Sequence, residues 1–229
     1  AFREKAVSLV LAGGLIGAVI GPNLAARSRT LLDVPFAGAY VVLCGVALLG
    51  MVLMAGIQFP AASPSTSPNA AGRPLALIVR QPVFLVACLS AALGYGVMNL
   101  LMAATPLAMQ QCGLSFDDAA IVLEWHVIGM FAPGFFTGNL IKRFGTLTVM
   151  GAGVVLNLAF FAIALSGLDL HHFTVALFLL GVGWNFLFTG STTLSLDAYR
   201  PEEKDRAQAA INFFVFAVMA VSSFASGAL

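Results

Sequence analysis

Long runs of apolar residues, separated by short groups of charged or turn-forming residues, divide the chain into seven segments. Each segment is long enough to cross a bilayer as a helix, because about 30 Å of hydrocarbon is crossed at about 1.5 Å per residue. None alternates apolar and polar residues over ten-residue units, so the pattern favours helices over barrel strands. The predicted spans are Ala6–Ala26, Phe36–Gln58, Val83–Met109, Ala119–Ile141, Thr146–Leu168, His172–Leu196 and Ala207–Gly227.

The composition excludes several classes of protein. Of the 229 residues, 60% are hydrophobic and 9% are charged, and the mean hydropathy is +0.97. Globular chains carry about 25% charged residues, so this chain has too few charges to cover a water-soluble surface. Soluble globular, disordered and nucleic-acid-binding proteins are therefore excluded. We predict an all-α membrane protein, a polytopic helical bundle whose main partner is the lipid bilayer.

The basic residues are distributed unequally between the two ends of the predicted spans. If the chain begins in the cytoplasm, nine Lys and Arg residues lie inside: Arg3, Lys5, Arg73, Arg80, Lys142, Arg143, Arg200, Lys204 and Arg206. Only Arg27 and Arg29 lie outside. The positive-inside rule therefore predicts a cytoplasmic start for this segment. We expect a multi-pass protein of the cell membrane, the inner (plasma) membrane of a bacterium.

A run of Pro, Ser, Ala and Gly from Pro60 to Gly72 differs in kind from the other segments. This composition cannot pack a core and is typical of a flexible linker. We therefore divide the chain into two helices in residues 1–59, a cytoplasmic linker in residues 60–82 and five helices in residues 83–229.

The first and last spans begin with the same pattern of basic, acidic, basic and alanine residues. The first is Arg3-Glu4-Lys5-Ala6 and the second is Lys204-Asp205-Arg206-Ala207. Both groups lie at the cytoplasmic entrance of a span, and the two spans run in the same direction. Parallel internal repeats of this kind are common in transporters.

Two motifs resemble those of a known family. Gly17-Ala-Val-Ile-Gly21-Pro22-Asn-Leu-Ala-Ala26 resembles the fifth-helix signature GxxxGPxxGG of the major facilitator superfamily, with Ala-Ala for the last Gly-Gly. Gly138-Asn-Leu-Ile-Lys142-Arg143-Phe-Gly145 is similar to the family's cytoplasmic loop motif GxLaDRxGRR, with Lys142 in place of Asp.

The resemblance implies an architecture and an activity. The seven spans would be helices five to eleven of a twelve-helix fold, with the remaining helices of its own chain as partners. The protein would be a secondary active transporter that moves a small organic solute by alternating access, coupled to protons, with efflux as one direction.

Four residues are candidates for a substrate cavity: Tyr95, Asn99, Trp184 and Asn185. Polar side chains at membrane depth are costly and often functional, and these residues lie beside Gly or Pro, where helices bend. The resemblance implies that their helices line a central cavity. Interhelical hydrogen bonding and core packing are equally good explanations. For Asn157 we favour hydrogen bonding between helices.

Glu124 and His126 are candidates for proton coupling. Glu124 is the only acidic residue well inside a predicted span. His titrates near neutral pH, and desolvation raises the pKa of a carboxyl group, so both residue types can exchange protons. Two residues apart on a helix, they point about 200° apart and cannot form a metal pair. A structural role is the alternative for both, and we favour it for His126.

Glycines at positions 13, 14, 17 and 21 form a stripe that ends at Pro22. Such a stripe favours close helix packing or a hinge between two halves.

Other classes of membrane protein fit less well. A retinal protein needs a buried Lys, but every Lys lies at a cytoplasmic edge. A receptor of the usual kind would begin outside the cell. The sequence contains no HExxH motif, no nucleophile with a placed base and no pair of acidic residues within the spans, so nothing in it indicates an enzyme. We predict no cofactor and no metal. The sequence leaves open a channel or a non-transporting sensor on the same bundle.

Overall fold

The apolar segments form helices, in which every backbone polar group can be paired without water. The computed structural model describes residues 2–57 and 72–228, and the side chains of residues 12–57 and 72–226. Most of the predicted linker lies outside the described residues. The elements are α1 (Phe2–Ser28), α2 (Ala37–Ala55), α3 (Leu75–Val79), α4 (Pro82–Gln111), α5 (Phe116–Phe131), α6 (Gly134–Phe144), α7 (Thr146–Ala164), α8 (Leu170–Ser195), a 3-10 turn (Pro201–Glu203) and α9 (Lys204–Ala228).

The described helices agree with most of the predicted spans. Five are long and apolar enough to cross a membrane: α2, α4, α7, α8 and the segment from the 3-10 turn through α9. The pair α5 and α6 makes a sixth span if it crosses as one bent unit. These six correspond to the second to seventh predicted spans. Helix α1 is 27 residues long, and its crossing of the membrane stays a prediction.

The fourth predicted span, Ala119–Ile141, is not one straight helix. Helix α5 ends at Phe131, α6 begins at Gly134, and the two axes differ by 42°. Pro133 lies between them and has no N–H to continue the hydrogen-bond ladder, so it breaks the helix at this point. The predicted span is therefore a bent pair of helices rather than one straight helix.

Helix α8 is the centre of the bundle and packs against α4, α5 and α7. Its contact with α5 is close enough to require glycine on both sides. A Cβ atom on Gly129 would lie 2.6 Å from the Phe178 carbonyl oxygen, and one on Gly181 would collide with the His126 carbonyl oxygen. Small residues at such crossings let two backbones approach and gain packing contacts.

Helix α2 lies at the edge of the described structure and packs only against α1. Of its residues, only Gly38 and Ala39 are buried, and large apolar side chains point outward along its length. This surface is what a membrane helix presents to acyl chains or to further helices.

Polar contacts join segments near the helix ends at two opposite ends of the bundle. At one end, Arg29 after α1 lies 3.4 Å from Asp117 at the start of α5 and 4.6 Å from the Phe116 ring centre. At the other end, Arg73 pairs with Glu203 before α9. The grouping agrees with the alternating topology predicted from the basic residues. Which end faces the cytoplasm stays a prediction.

The Arg73–Glu203 pair fixes the chain where it enters α3. Glu203 is fully buried and accepts hydrogen bonds from the Arg73 backbone N–H at 2.7 Å and from its Nη2 at 2.7 Å. Arg73 Nε and the backbone N–H of Arg200 add two more, each at 2.9 Å. Its side-chain hydrogen bonds to the Glu203 carboxylate raise the pKa of Arg73. Ile78 of α3 is buried in an apolar cluster with Ala198 and Ala207.

Replacing Arg73 tests this arrangement. Arg73→Ala leaves a buried carboxylate without its cation, which is strongly destabilising. We expect the melting temperature of the purified protein, followed by helical circular dichroism, to fall by several degrees. Arg80→Ala is the matched control, because Arg80 is exposed and forms no hydrogen bond with the described residues. Equal melting temperatures for the two variants would contradict a stabilising role for the pair.

Candidate functional site

A groove opens between α4, α8 and α9, in the half of the bundle that holds the Arg73–Glu203 pair. Its volume is about 330 Å³, within the range of about 300–1,000 Å³ typical of small-molecule sites. The lining residues come from the first half of α4, the last half of α8 and the first half of α9. They are Ala87, Ala91, Tyr95, Phe188, Ser191, Thr192, Ser195, Gln208, Ile211, Asn212, Val215, Phe216 and Met219.

Three aromatic rings form one wall of the groove. Trp184 and Phe188 lie one turn apart on α8 and stack with ring centres 4.9 Å apart and planes 5° apart. Tyr95 of α4 meets both rings edge-on, at 5.1 Å and 5.7 Å. Trp184 is buried behind Phe188, which is 38% exposed. The wall therefore presents Tyr95 and Phe188 to the groove, with Trp184 supporting them.

The opposite end of the bundle holds a second, polar site. Asn23 of α1 donates a hydrogen bond to Glu124 of α5 at 3.0 Å, and a second to its own helix at the Val19 carbonyl. Both residues line a cavity of about 380 Å³ with Arg27, Arg29, Thr30, Asp117, Ala120 and Ile121. Glu124 therefore joins two helices that lie on opposite sides of the predicted linker.

The fifth-helix motif lies beside a third cavity. Gly21 and Pro22 line a space of about 710 Å³ between α1, α4 and α5. Helix α1 continues through Pro22. In the glycine stripe, only Gly14 is tightly packed: a Cβ atom there would lie 2.7 Å from the Phe131 ring. At Gly13, Gly17 and Gly21 a Cβ atom would meet no described atom within 4 Å.

Asn185 holds the two parts of the broken helix together. Its Nδ2 donates to the Met130 carbonyl oxygen at 2.7 Å, and its Oδ1 accepts from the Thr137 hydroxyl at 2.7 Å. Met130 belongs to α5 and Thr137 to α6, so one side chain of α8 bridges the break at Pro133. Asn185 is buried and is not among the groove-lining residues. These contacts correspond to the structural explanation given for this residue.

Asn99 faces α9 rather than the groove. Its Nδ2 donates to the hydroxyls of Ser222 and Ser223, at 2.9 Å and 2.8 Å. The four predicted cavity residues are therefore divided: Tyr95 lines the groove, Trp184 supports its wall, and Asn99 and Asn185 bond to neighbouring helices. The assignment of all four to a substrate cavity stays a prediction.

His126 is fully buried and faces α8, away from Glu124. Its Nδ1 lies 2.8 Å from the Leu177 carbonyl oxygen. The carbonyl can only accept, so Nδ1 carries the proton. Among the described residues, Nε2 has no hydrogen-bond partner, and neither has Asn157 Oδ1. Asn157 instead packs against Gly183 of α8, so the hydrogen bond expected for it is not found there.

The loop motif forms a tight turn between α6 and α7. Helix α6 begins four residues before Gly138, and Lys142 and Arg143 lie in its last turn. Gly145 separates the two helices with φ of 87°, a conformation that glycine adopts without strain.

Most residues of the groove were not predicted from the sequence. Phe188, Ser191, Gln208 and Asn212 line it, but none is marked by a motif. Asn212 could have been found from its position. It is an amide about 12 Å into α9, at 1.5 Å per residue, and an unpaired polar group that faces lipid is costly at this depth.

Comparison with known proteins identifies the family. The model of the Major Facilitator Superfamily matches residues 1–223. The riboflavin transporter RfnT of Brucella anthropi is 41% identical over 232 residues, which cover 99% of this chain and 58% of that protein. YddS of Bacillus subtilis, an uncharacterised MFS-type transporter, is 28% identical over 244 residues, which cover 99% of this chain and 55% of that protein.

This chain therefore spans somewhat more than half the length of these two relatives. YdeG of Bacillus subtilis, also an uncharacterised MFS-type transporter, matches a shorter part, with 31% identity over 135 residues. No solved structure matches the chain.

Asn185→Ala tests the bridge across the break. Without the amide, the Met130 carbonyl loses its donor at membrane depth, while the Thr137 hydroxyl keeps the Pro133 carbonyl as an acceptor at 2.7 Å. We expect a loss of about 1–2 kcal/mol in the free energy of unfolding. Asn157→Ala removes the same side chain from a position with no hydrogen bond among the described residues. If reversible unfolding shows equal losses for both variants, packing rather than the amide bridge explains the role of Asn185.

Proposed function

This chain belongs to the Major Facilitator Superfamily, and we propose that the complete protein is a secondary active transporter that carries a small organic solute by alternating access. One observation carries this proposal. At the end of the bundle that holds Arg29, α1 and α5 are joined by polar contacts, whereas at the other end a groove opens between α4, α8 and α9. Polar contacts between the proposed halves at one end and an opening at the other support a mechanism in which the site faces one side of the membrane at a time.

The contact between α1 and α5 is the part that would have to open. Helix α1 precedes the predicted linker and α5 follows it, so their contact lies between the two proposed halves. The Arg29–Asp117 pair is exposed, and exposed pairs contribute little stability. The Asn23–Glu124 hydrogen bond is similarly a single contact. Weak contacts of this kind suit a barrier that opens and closes repeatedly, because neither state is greatly favoured.

Proton coupling can act through Glu124. An ionised carboxylate accepts a hydrogen bond from Asn23 more strongly than a protonated one. Protonation therefore weakens the contact between α1 and α5 and favours opening on that side. Arg27, Arg29 and Asp117 share the same cavity and would influence this step. The proton on His126 Nδ1 is held by a backbone carbonyl on the α8 side, so Glu124 is the better candidate.

We propose riboflavin or a closely related flavin as the solute. The support comes from the 41% identity to a protein named as a riboflavin transporter and from the aromatic wall of Tyr95, Trp184 and Phe188. Flat aromatic solutes stack on such walls. We propose that the protein lies in the inner membrane of a bacterium, with the ends of the spans that are rich in Lys and Arg facing the cytoplasm.

Transport of riboflavin is the first test. We expect the complete gene product to restore growth on limiting riboflavin in a bacterial strain that can neither make nor import it. Uptake of labelled riboflavin by the same cells should exceed that of cells with an empty vector, and preloaded cells should show whether the protein also supports efflux. If no riboflavin or other flavin crosses in either direction while the protein is present in the membrane, the transport proposal is wrong and a sensor becomes the better explanation.

Replacing Glu124 tests proton coupling. In vesicles with an imposed proton gradient, Glu124→Gln should abolish most of the gradient-driven accumulation of riboflavin, because the side chain can no longer change charge. Glu202→Gln is the control, since Glu202 is exposed near the other end and forms no hydrogen bond with the described residues. Accumulation by Glu124→Gln at the level of the control would show that Glu124 is not the coupling residue.

A further inference from the structure

We propose that the groove between α4, α8 and α9 binds an uncharged, planar heteroaromatic ring, stacked on Phe188, whose imide edge is hydrogen-bonded by Asn212. An imide edge is a ring N–H flanked by carbonyl groups, as in the flavin ring system. This inference rests on the proposed transport of a flavin and assigns the site that would hold it.

Phe188 offers a free aromatic face. One face of its ring stacks on the buried Trp184, and the ring is still 38% exposed toward the groove that it lines. Tyr95 meets the ring edge-on and holds its orientation. A planar ligand on the open face would continue the stack that Trp184 and Phe188 begin. The underlying Trp184 makes this a rigid surface that needs no rearrangement.

Asn212 offers the complementary polar group. Asn212 lies in the first half of α9 at membrane depth and is exposed. Its side chain forms no hydrogen bond with the described residues. Its side chain has one acceptor oxygen and two N–H donors. It can therefore accept from an imide N–H and donate to the adjacent carbonyl at the same time. Gln208 is less free, because its Nε2 already donates to the Tyr199 hydroxyl at 2.9 Å.

The remaining polar groups of the groove are hydroxyls on α8. Ser191 and Ser195 donate to carbonyls of their own helix, at 3.0 Å and 2.8 Å, which leaves their oxygens free to accept. Thr192 forms no hydrogen bond with the described residues. These hydroxyls would suit a ligand side chain that carries hydroxyl groups of its own.

The charge of the lining determines which ligands are excluded. Among the described residues that line the groove, none is an Asp, Glu, Lys or Arg. A phosphate group would lose its hydration here without gaining a cation, which is costly. The groove should therefore accept riboflavin and reject the same ring system carrying a phosphate.

Binding to the purified complete protein tests this assignment, with quenching of flavin fluorescence as the signal. The ligands are riboflavin, riboflavin methylated at its imide nitrogen, and riboflavin phosphate. We expect the wild type to bind riboflavin about tenfold more tightly than the methylated compound. A factor of about ten is the affinity that a well-placed pair of hydrogen bonds contributes. Riboflavin phosphate should bind more weakly than riboflavin.

Two variants and one control separate the roles of the residues. Asn212→Leu should bind riboflavin about tenfold more weakly and lose the preference over the methylated ligand. Phe188→Leu should weaken both ligands but keep the preference. Phe213→Leu should match the wild type, because Phe213 is exposed on α9 and does not line the groove.

Three results would overturn the assignment. If Asn212→Leu keeps the wild-type preference, or if riboflavin phosphate binds as well as riboflavin, the groove is not the site, while riboflavin transport by the wild type would still support the proposed function. A wild type that neither binds nor carries any of the three flavins contradicts both proposals.

Discussion

A backbone buried in a membrane must have all its polar groups paired, and Pro133 breaks this rule in the middle of a span. The structure satisfies the constraint from outside the broken helix, through the amide of Asn185, which joins Met130 of α5 to Thr137 of α6. That bond requires α8 to lie directly against α5, and glycines at 129 and 181 allow the approach. This contact fixes how α8 lies against α5 and α6, and α4 and α7 pack on the other sides of α8.

The groove depends on the same contact. Neighbouring residues on a helix point about 100° apart, so Asn185 and Trp184 cannot face the same neighbour. When Asn185 is fixed toward α5 and α6, Trp184 and Phe188 turn toward α4, where Tyr95 completes the aromatic wall. One helix thus supports the bend on one side and the proposed binding surface on the other. The proposed barrier of Asn23 and Glu124 lies apart from both, between α1 and α5.

Much of the architecture could be predicted from the sequence, because hydrophobic length and the placement of Lys and Arg depend only on local composition. The six spans from α2 to α9 and the family follow from such signals and from two short motifs. The bend was missed although Pro133 is visible in the sequence, since length and hydropathy alone treat it as part of one span. The partners of Asn185 and Asn99 could not be predicted, because they lie on helices distant in the chain. The surface formed by Asn212 and Phe188 could not be predicted for the same reason, because the two residues come together only when α8 and α9 pack against α4.

We propose that the complete protein carries its solute through a site that faces one side of the membrane at a time. Counterflow tests it most directly. Proteoliposomes that contain the complete protein are loaded with unlabelled riboflavin and diluted into a trace of labelled riboflavin, without an imposed gradient of protons. Alternating access predicts a transient accumulation of label inside, above its external concentration, because the unlabelled solute returns the site to the outside. A steady rise to equality, as through a channel, or no entry of label at all would contradict the claim.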